Sequence, residues 1–148
     1  MKVSAAVERV GKDGMCFVCG QRNPIGLKIV FREEAEKSRA EFTPGPEHTS
    51  WIGVFHGGLI VTLLDEAIGW VLFYHGVGAV TAKMDVRFHR SVLVGQTVTV
   101  TGEITRRTRK IINARATMHF VDGGELAAEV DATMFVVNPL DAESHSTY

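Results

Sequence analysis

The hydrophobic pattern divides the chain into one uniformly apolar stretch flanked by alternating ones. The apolar stretch spans residues 57–74. Leu59, Ile60, Val61, Leu63, Leu64, Ala67, Ile68, Val71, Leu72 and Phe73 cover most of a helical circumference. A helix that is apolar all round is expected to be buried all round. At ~1.5 Å per residue it is about 27 Å long. His75-Gly76 closes it, glycine being the usual residue past a helix C-terminus. Ahead of it, residues 27–32 (LKIVFR) read as a strand, 33–37 as a charged turn and 38–42 as a second strand. Residues 43–50 (TPGPEHTS) are predicted irregular, because Pro44, Gly45 and Pro46 break regular structure. Four strand-like stretches follow the helix, at 79–89, 97–105, 111–121 and 125–137. A basic turn, 106–110, separates the second from the third, and Asp122-Gly123-Gly124 is hairpin chemistry.

This order predicts an α+β fold, an antiparallel sheet of five or six strands curled around one long central helix. Such a sheet covers only part of the helix, and an identical subunit is the simplest cover for the rest. The expected organisation is a lead-in over residues 1–15, one domain over 16–138 and a polar tail over 139–148.

Composition narrows the function classes. At 148 residues the chain makes one domain with a substantial core. A formal net charge of -1 supplies no field for nucleic acid or an anionic membrane, so neither is an expected partner. No apolar run approaches the ~20 residues that span a bilayer; the longest is interrupted by Thr62, Asp65 and Glu66. The N-terminus lacks the apolar core of a signal peptide, and two cysteines make no disulfide framework. A cytoplasmic location is therefore expected.

The chemistry concentrates in residues 56–66, HGGLIVTLLDE. A His-Gly-Gly turn at a helix start offers bare backbone N–H groups and the positive end of a helix dipole. Asp65 and Glu66 sit two turns in, and a carboxylate on an apolar helix is costly unless paired or used. Gly57 and Asp65 are about 12 Å apart along the helix at ~1.5 Å per residue. One reacting group cannot easily touch both within one chain.

The arrangement resembles the hotdog fold, and the motifs resemble its PaaI-like acyl-CoA thioesterase branch. The likeness rests on His56-Gly57-Gly58 with Asp65 seven residues after the second glycine, on Cys16-Phe17-Val18-Cys19-Gly20 followed by Asn23-Pro24-Ile25-Gly26-Leu27, and on Val80 to Val86. The strand containing Val80 departs from the family at its end, where Phe88-His89-Arg90-Ser91 lacks the usual proline.

The resemblance implies hydrolysis of an acyl-CoA or aryl-CoA thioester, with coenzyme A as part of the substrate and no further cofactor. It implies a homodimer or dimer of dimers, with the site shared between subunits. The N–H of Gly57 would hold the oxyanion, and Gly58 would line the substrate beside it. Asp65 would activate water or attack the thioester itself. His56 would either fix the turn through a backbone hydrogen bond or polarise the carbonyl, the first being favoured. Thr81 sits where relatives place a residue that orients the water; an ordinary strand threonine reads equally well. Ser50 lies in the loop where some relatives carry a polar group near the acyl carbonyl. Glu66 would support the site from the neighbouring helix face. Arg87, His89 and Arg90, or the basic turn at 106–110, would meet the phosphates of coenzyme A. Trp51, Phe55 and Trp70 fit either an acyl pocket or core packing.

Cys16 and Cys19 have zinc-like spacing, but a closed zinc site needs four ligands and no second cysteine pair exists. Even with His48 or a second subunit as a further source, a pair packed beside a turn, without metal, is the expected reading. The other functions to be separated from thioester hydrolysis are an acyl-thioester hydratase or dehydratase and a non-catalytic acyl-CoA-binding protein.

Overall fold

The computed structural model describes residues 14–137. The lead-in and tail expected at 1–15 and 139–148 fall almost wholly outside them. Six strands form one antiparallel sheet: β1 (Arg32–Glu34), β2 (Lys37–Phe42), β3 (Ala79–Phe88), β4 (Val98–Arg107), β5 (Ile111–Phe120) and β6 (Leu126–Val136), in the order β1-β2-β4-β5-β6-β3. Among the described residues one α-helix, α1 (Gly57–Tyr74), lies across β2, β4, β5 and β6. This is the expected sheet curled around one helix, with six strands.

Where prediction and structure differ, the cause is local. Residues 27–31 are not a strand. Lys28 has φ 54, and the N–H groups of Leu27 and Ile29 donate to the carbonyls of Phe17 and Val18 at 2.8 and 2.9 Å. That segment is tied to the N-terminal turn, so β1 begins only at Arg32. The charged turn contracts to Ala35 and Glu36, both with positive φ (51 and 64). The loop at 43–50 holds a short 3-10 turn, Pro46–His48.

Helix α1 has the predicted bounds and ends as predicted, with His75 as C-cap and Gly76 at φ 70. It is not buried all round in the protomer. Ile60, Leu63, Leu64, Ala67, Ile68, Val71 and Leu72 are buried against the sheet, whereas His56, Gly58, Asp65 and Gly69 are exposed. The reason is geometric: one sheet covers one side of a helix. By length and mean hydropathy (18 residues, 1.4) α1 would also pass as a membrane span, but here it is the core helix.

The helix sits unusually close to the sheet at one point. A Cβ on Gly102 of β4 would lie 2.3 Å from the Ala67 carbonyl oxygen, so only glycine fits there. Buried Ser38, paired with Gly102 across β2 and β4, donates its hydroxyl to that same oxygen at 2.5 Å.

Candidate active site

The helix start is organised by His56. Its Nδ1 accepts a hydrogen bond from the Gly58 N–H at 2.9 Å, and its backbone carbonyl accepts from Leu59 and Ile60. With Nδ1 as acceptor, a neutral ring carries its proton on Nε2. This is the hydrogen bond that a turn-fixing His56 would make. The N–H of Gly57 makes no hydrogen bond among the described residues. A Cβ at Gly57 would meet only the Phe88 ring, at an ordinary 3.6 Å. Nothing among the described residues therefore requires glycine at this position, and among them its N–H is left available to an external acceptor.

Two turns further on, Asp65 is exposed in the protomer, not buried, for the geometric reason given above. Thr81 Oγ1 donates to Asp65 Oδ1 at 3.2 Å. A bulge in β3 makes this contact. Thr81 pairs with Met134 and Lys83 with Thr133, which leaves Ala82 unpaired. Side chains alternate along a strand, so one extra residue switches the face. Met84 and Val86 pack on the core from even positions, and Ala79 does so from an odd one. The bulge therefore turns Thr81 to the helix side, where Asp65 is. Without it Thr81 would share the face of Lys83 and Asp85.

Glu66 is half-buried and points elsewhere. Its Oε1 accepts from the Cys16 thiol at 3.6 Å, and Cys19 lies in the same cluster. Burial, and then the Glu66 carboxylate, push the Cys19 thiol well above the usual range. Sequence reasoning missed this contact, because no local pattern links positions 50 residues apart.

The structure does not leave Arg87, His89 and Arg90 as a free basic cluster. Arg87 and His89 lie 3.8 and 3.5 Å from Glu129, and Arg90 pairs with Glu125. The β3–β6 register puts Glu129 opposite Arg87. Among the described residues, Arg106, Arg107, Arg109 and Lys110 make no ion pair. Their hairpin shares a sheet row with Thr81, through Met134, Ile112 and Arg107. Three strand spacings of ~4.8 Å separate them, or about 14 Å. Ser50 is exposed in the turn joining Thr49 to Phe55, its N–H bonded to the Val54 carbonyl at 3.0 Å. Phe55 is core and Trp70 stacks on Phe31, but Trp51 is 81% exposed.

Residues 52–127, which carry His56, Gly57, Asp65 and Thr81, match the family model of the thioesterase superfamily. The chain belongs to the thioesterase superfamily. Its hotdog fold is shared with thioesterase superfamily member 2 of zebra fish, at 20% identity and a TM-score of 0.74, over 86% of this chain and 96% of that one. The PaaI protein of the E. coli phenylacetic acid degradation operon is similar at 18% identity and a TM-score of 0.69, over 74% and 83%. A hypothetical thioesterase of Streptococcus pneumoniae TIGR4, solved with coenzyme A, is similar at 19% identity and a TM-score of 0.70, over 74% and 86%. No curated protein matches the chain. The matched thioesterase segment holds α1, β3, β4 and β5, and excludes the N-terminal cysteine turn.

Proposed function

We propose that this thioesterase-superfamily chain hydrolyses an acyl-CoA or aryl-CoA thioester to free acid and coenzyme A, in a site completed by a second copy of itself. The observation that carries this reading is the separation of two half-sites along one exposed edge. Asp65, with its carboxylate held by Thr81, stands at the start of β3. The unpaired Gly57 N–H stands near Phe88 at its end. Strand β3 is an edge strand of 10 residues, with Val80 and Phe88 52% and 56% exposed. A long exposed edge is a ready template for pairing. Antiparallel pairing of β3 with its own copy, about its midpoint, would put Ala79 opposite Phe88 of the partner subunit and Thr81 opposite Val86 of the partner subunit, so that the start of one strand lies beside the end of the other. Asp65 would then face Gly57 of the partner subunit across one thioester.

In that site Asp65 takes the proton of an attacking water, whose addition breaks the C–S bond and releases coenzyme A as its thiolate, or itself attacks the carbonyl carbon, expelling that thiolate to give a mixed anhydride that water then opens. Either way negative charge grows on the former carbonyl oxygen. A preorganised N–H there lowers the barrier by about 3–4 kcal/mol. The coenzyme A held by the pneumococcal relative supports the ligand class.

The test is thiol release from a panel of acyl- and aryl-CoA thioesters, followed with a thiol reagent. Turnover of some member is expected, and Asp65→Asn should lower it ~10²–10⁴-fold with the fold intact. No thiol release from any member would overturn hydrolysis. Loss of enoyl-thioester absorbance without thiol release would identify a hydratase instead.

A further inference from the structure

The thioester chemistry leaves Cys16, Cys19 and Glu66 unused. These three residues bring three ligand-type atoms within 4.8 Å of one another. Cys16 Sγ and Glu66 Oε1 are 3.6 Å apart. A tetrahedral zinc ion, with Zn–S ~2.3 Å and Zn–O ~2.1 Å, sets a sulfur and an oxygen ligand about 3.6 Å apart and two sulfurs about 3.8 Å apart. One edge of the tetrahedron thus already has its length, and the second sulfur needs to close by at most about 1 Å.

The cysteine turn is built to hold this shape. The Gly20 N–H donates to the Cys16 carbonyl at 2.9 Å, closing the chain on itself. A Cβ at Gly20 would come within 2.3 Å of the Gly14 oxygen and 2.5 Å of Cys16 backbone atoms, so the turn closes only on glycine. Val18, between the cysteines, is buried in the core, and the bonds from Leu27 and Ile29 fasten the turn from the other side. The third ligand comes from α1, which is anchored independently by Ser38 and Gly102.

The geometry points to a zinc site formed by Cys16, Cys19 and Glu66, with the exposed side of Cys16 leaving the fourth position to water. Thiolates select zinc over magnesium or calcium, and a carboxylate is an accepted zinc ligand. On binding, each cysteine gives its thiol proton to solvent, and the two thiolates and the Glu66 carboxylate replace water on the ion. Sequence counting found two ligands; the fold supplies a third. Since Glu66 adjoins Asp65, a bound ion would pin the N-terminal turn to the helix that carries the acid.

The full chain, reduced and stripped with a chelator, should be titrated with zinc against a chromophoric chelator and, separately, with cobalt. About one zinc per chain is expected, with thiolate-to-cobalt charge-transfer absorption in the near ultraviolet. The Cys16→Ser/Cys19→Ser double variant should lose both signals, and Glu66→Gln should weaken zinc binding by about tenfold or more. Zinc below about 0.1 per chain, a cobalt spectrum without thiolate bands, or unchanged affinity in Glu66→Gln would each overturn the site. The cobalt spectrum of the unaltered protein decides even if the double variant fails to fold.

Discussion

Replacing Gly102 by alanine should destabilise the fold and disturb the site from a distance. The new Cβ would stand 2.3 Å from the Ala67 oxygen, 2.7 Å from the Ala67 carbonyl carbon and 2.7 Å from Ser38 Oγ. Restoring ordinary separation requires the helix to lift by roughly 1 Å at Ala67. Overpacking of this kind costs about 1–3 kcal/mol. The Ser38–Ala67 hydrogen bond, buried and 2.5 Å long, cannot survive the lift and adds about 1 kcal/mol. The sum, about 2–4 kcal/mol, is a large part of a typical stability of ~5–15 kcal/mol. Urea unfolding at fixed protein concentration should show the midpoint falling by about 1–2 M for a slope of ~2 kcal/mol per M. Ser38→Ala alone should cost about 1 kcal/mol, and the double variant about 1 kcal/mol less than the sum, since the shared hydrogen bond is lost once. Asp65 is two residues from Ala67, so turnover should fall as well. A Gly102→Ala protein with an unchanged midpoint, or full additivity with Ser38→Ala, would refute this account of the helix seat.

Thr81→Val should lower kcat about three- to tenfold, the loss carried by one hydrogen bond of ordinary net strength, while Thr81→Ser keeps most of the rate. Equal rates for both in steady-state thiol-release kinetics would remove Thr81 from the site. In metal-free reduced protein, iodoacetamide should label exposed Cys16 before half-buried Cys19, whose thiol is held protonated by burial and by Glu66. Peptide mapping over a time course reads the order, and Cys19 labelled first would contradict it.

How far the sequence could be read depended on whether the cause was local. Helix α1 was legible to its end residues because its apolar run, its His-Gly-Gly start and its His-Gly stop all lie within it. The hairpin turn at Asp122-Gly123-Gly124 was legible for the same reason, with Gly123 and Gly124 at positive φ. Residues 27–32 looked like a strand because their alternation is real, but Lys28 adopts a left-handed backbone to meet the turn at Phe17 and Val18. Asp65 and Gly57 were legible as candidates from spacing and resemblance. Their setting was not: the Thr81 contact needs the bulge at Ala82, a property of the β3–β6 register. The pairing of Arg87, His89 and Arg90 with Glu129 and Glu125 likewise needs that register and its neighbouring turn. The exposure of Asp65 follows from how much helix one sheet can cover, which composition does not encode.

The central claim is that one thioester is served by Asp65 of one chain and Gly57 of its partner. Subunit mixing tests this most directly. Asp65→Asn and Gly57→Val proteins, each nearly inactive alone, are unfolded together and refolded as an equal mixture, and thiol release is measured. In a mixed dimer one shared site carries both defects and the other carries neither. Random pairing makes about half the dimers mixed, each with one intact site of two, so recovery to about a quarter of the wild-type rate is predicted. A mixture no more active than its parents would contradict the shared site.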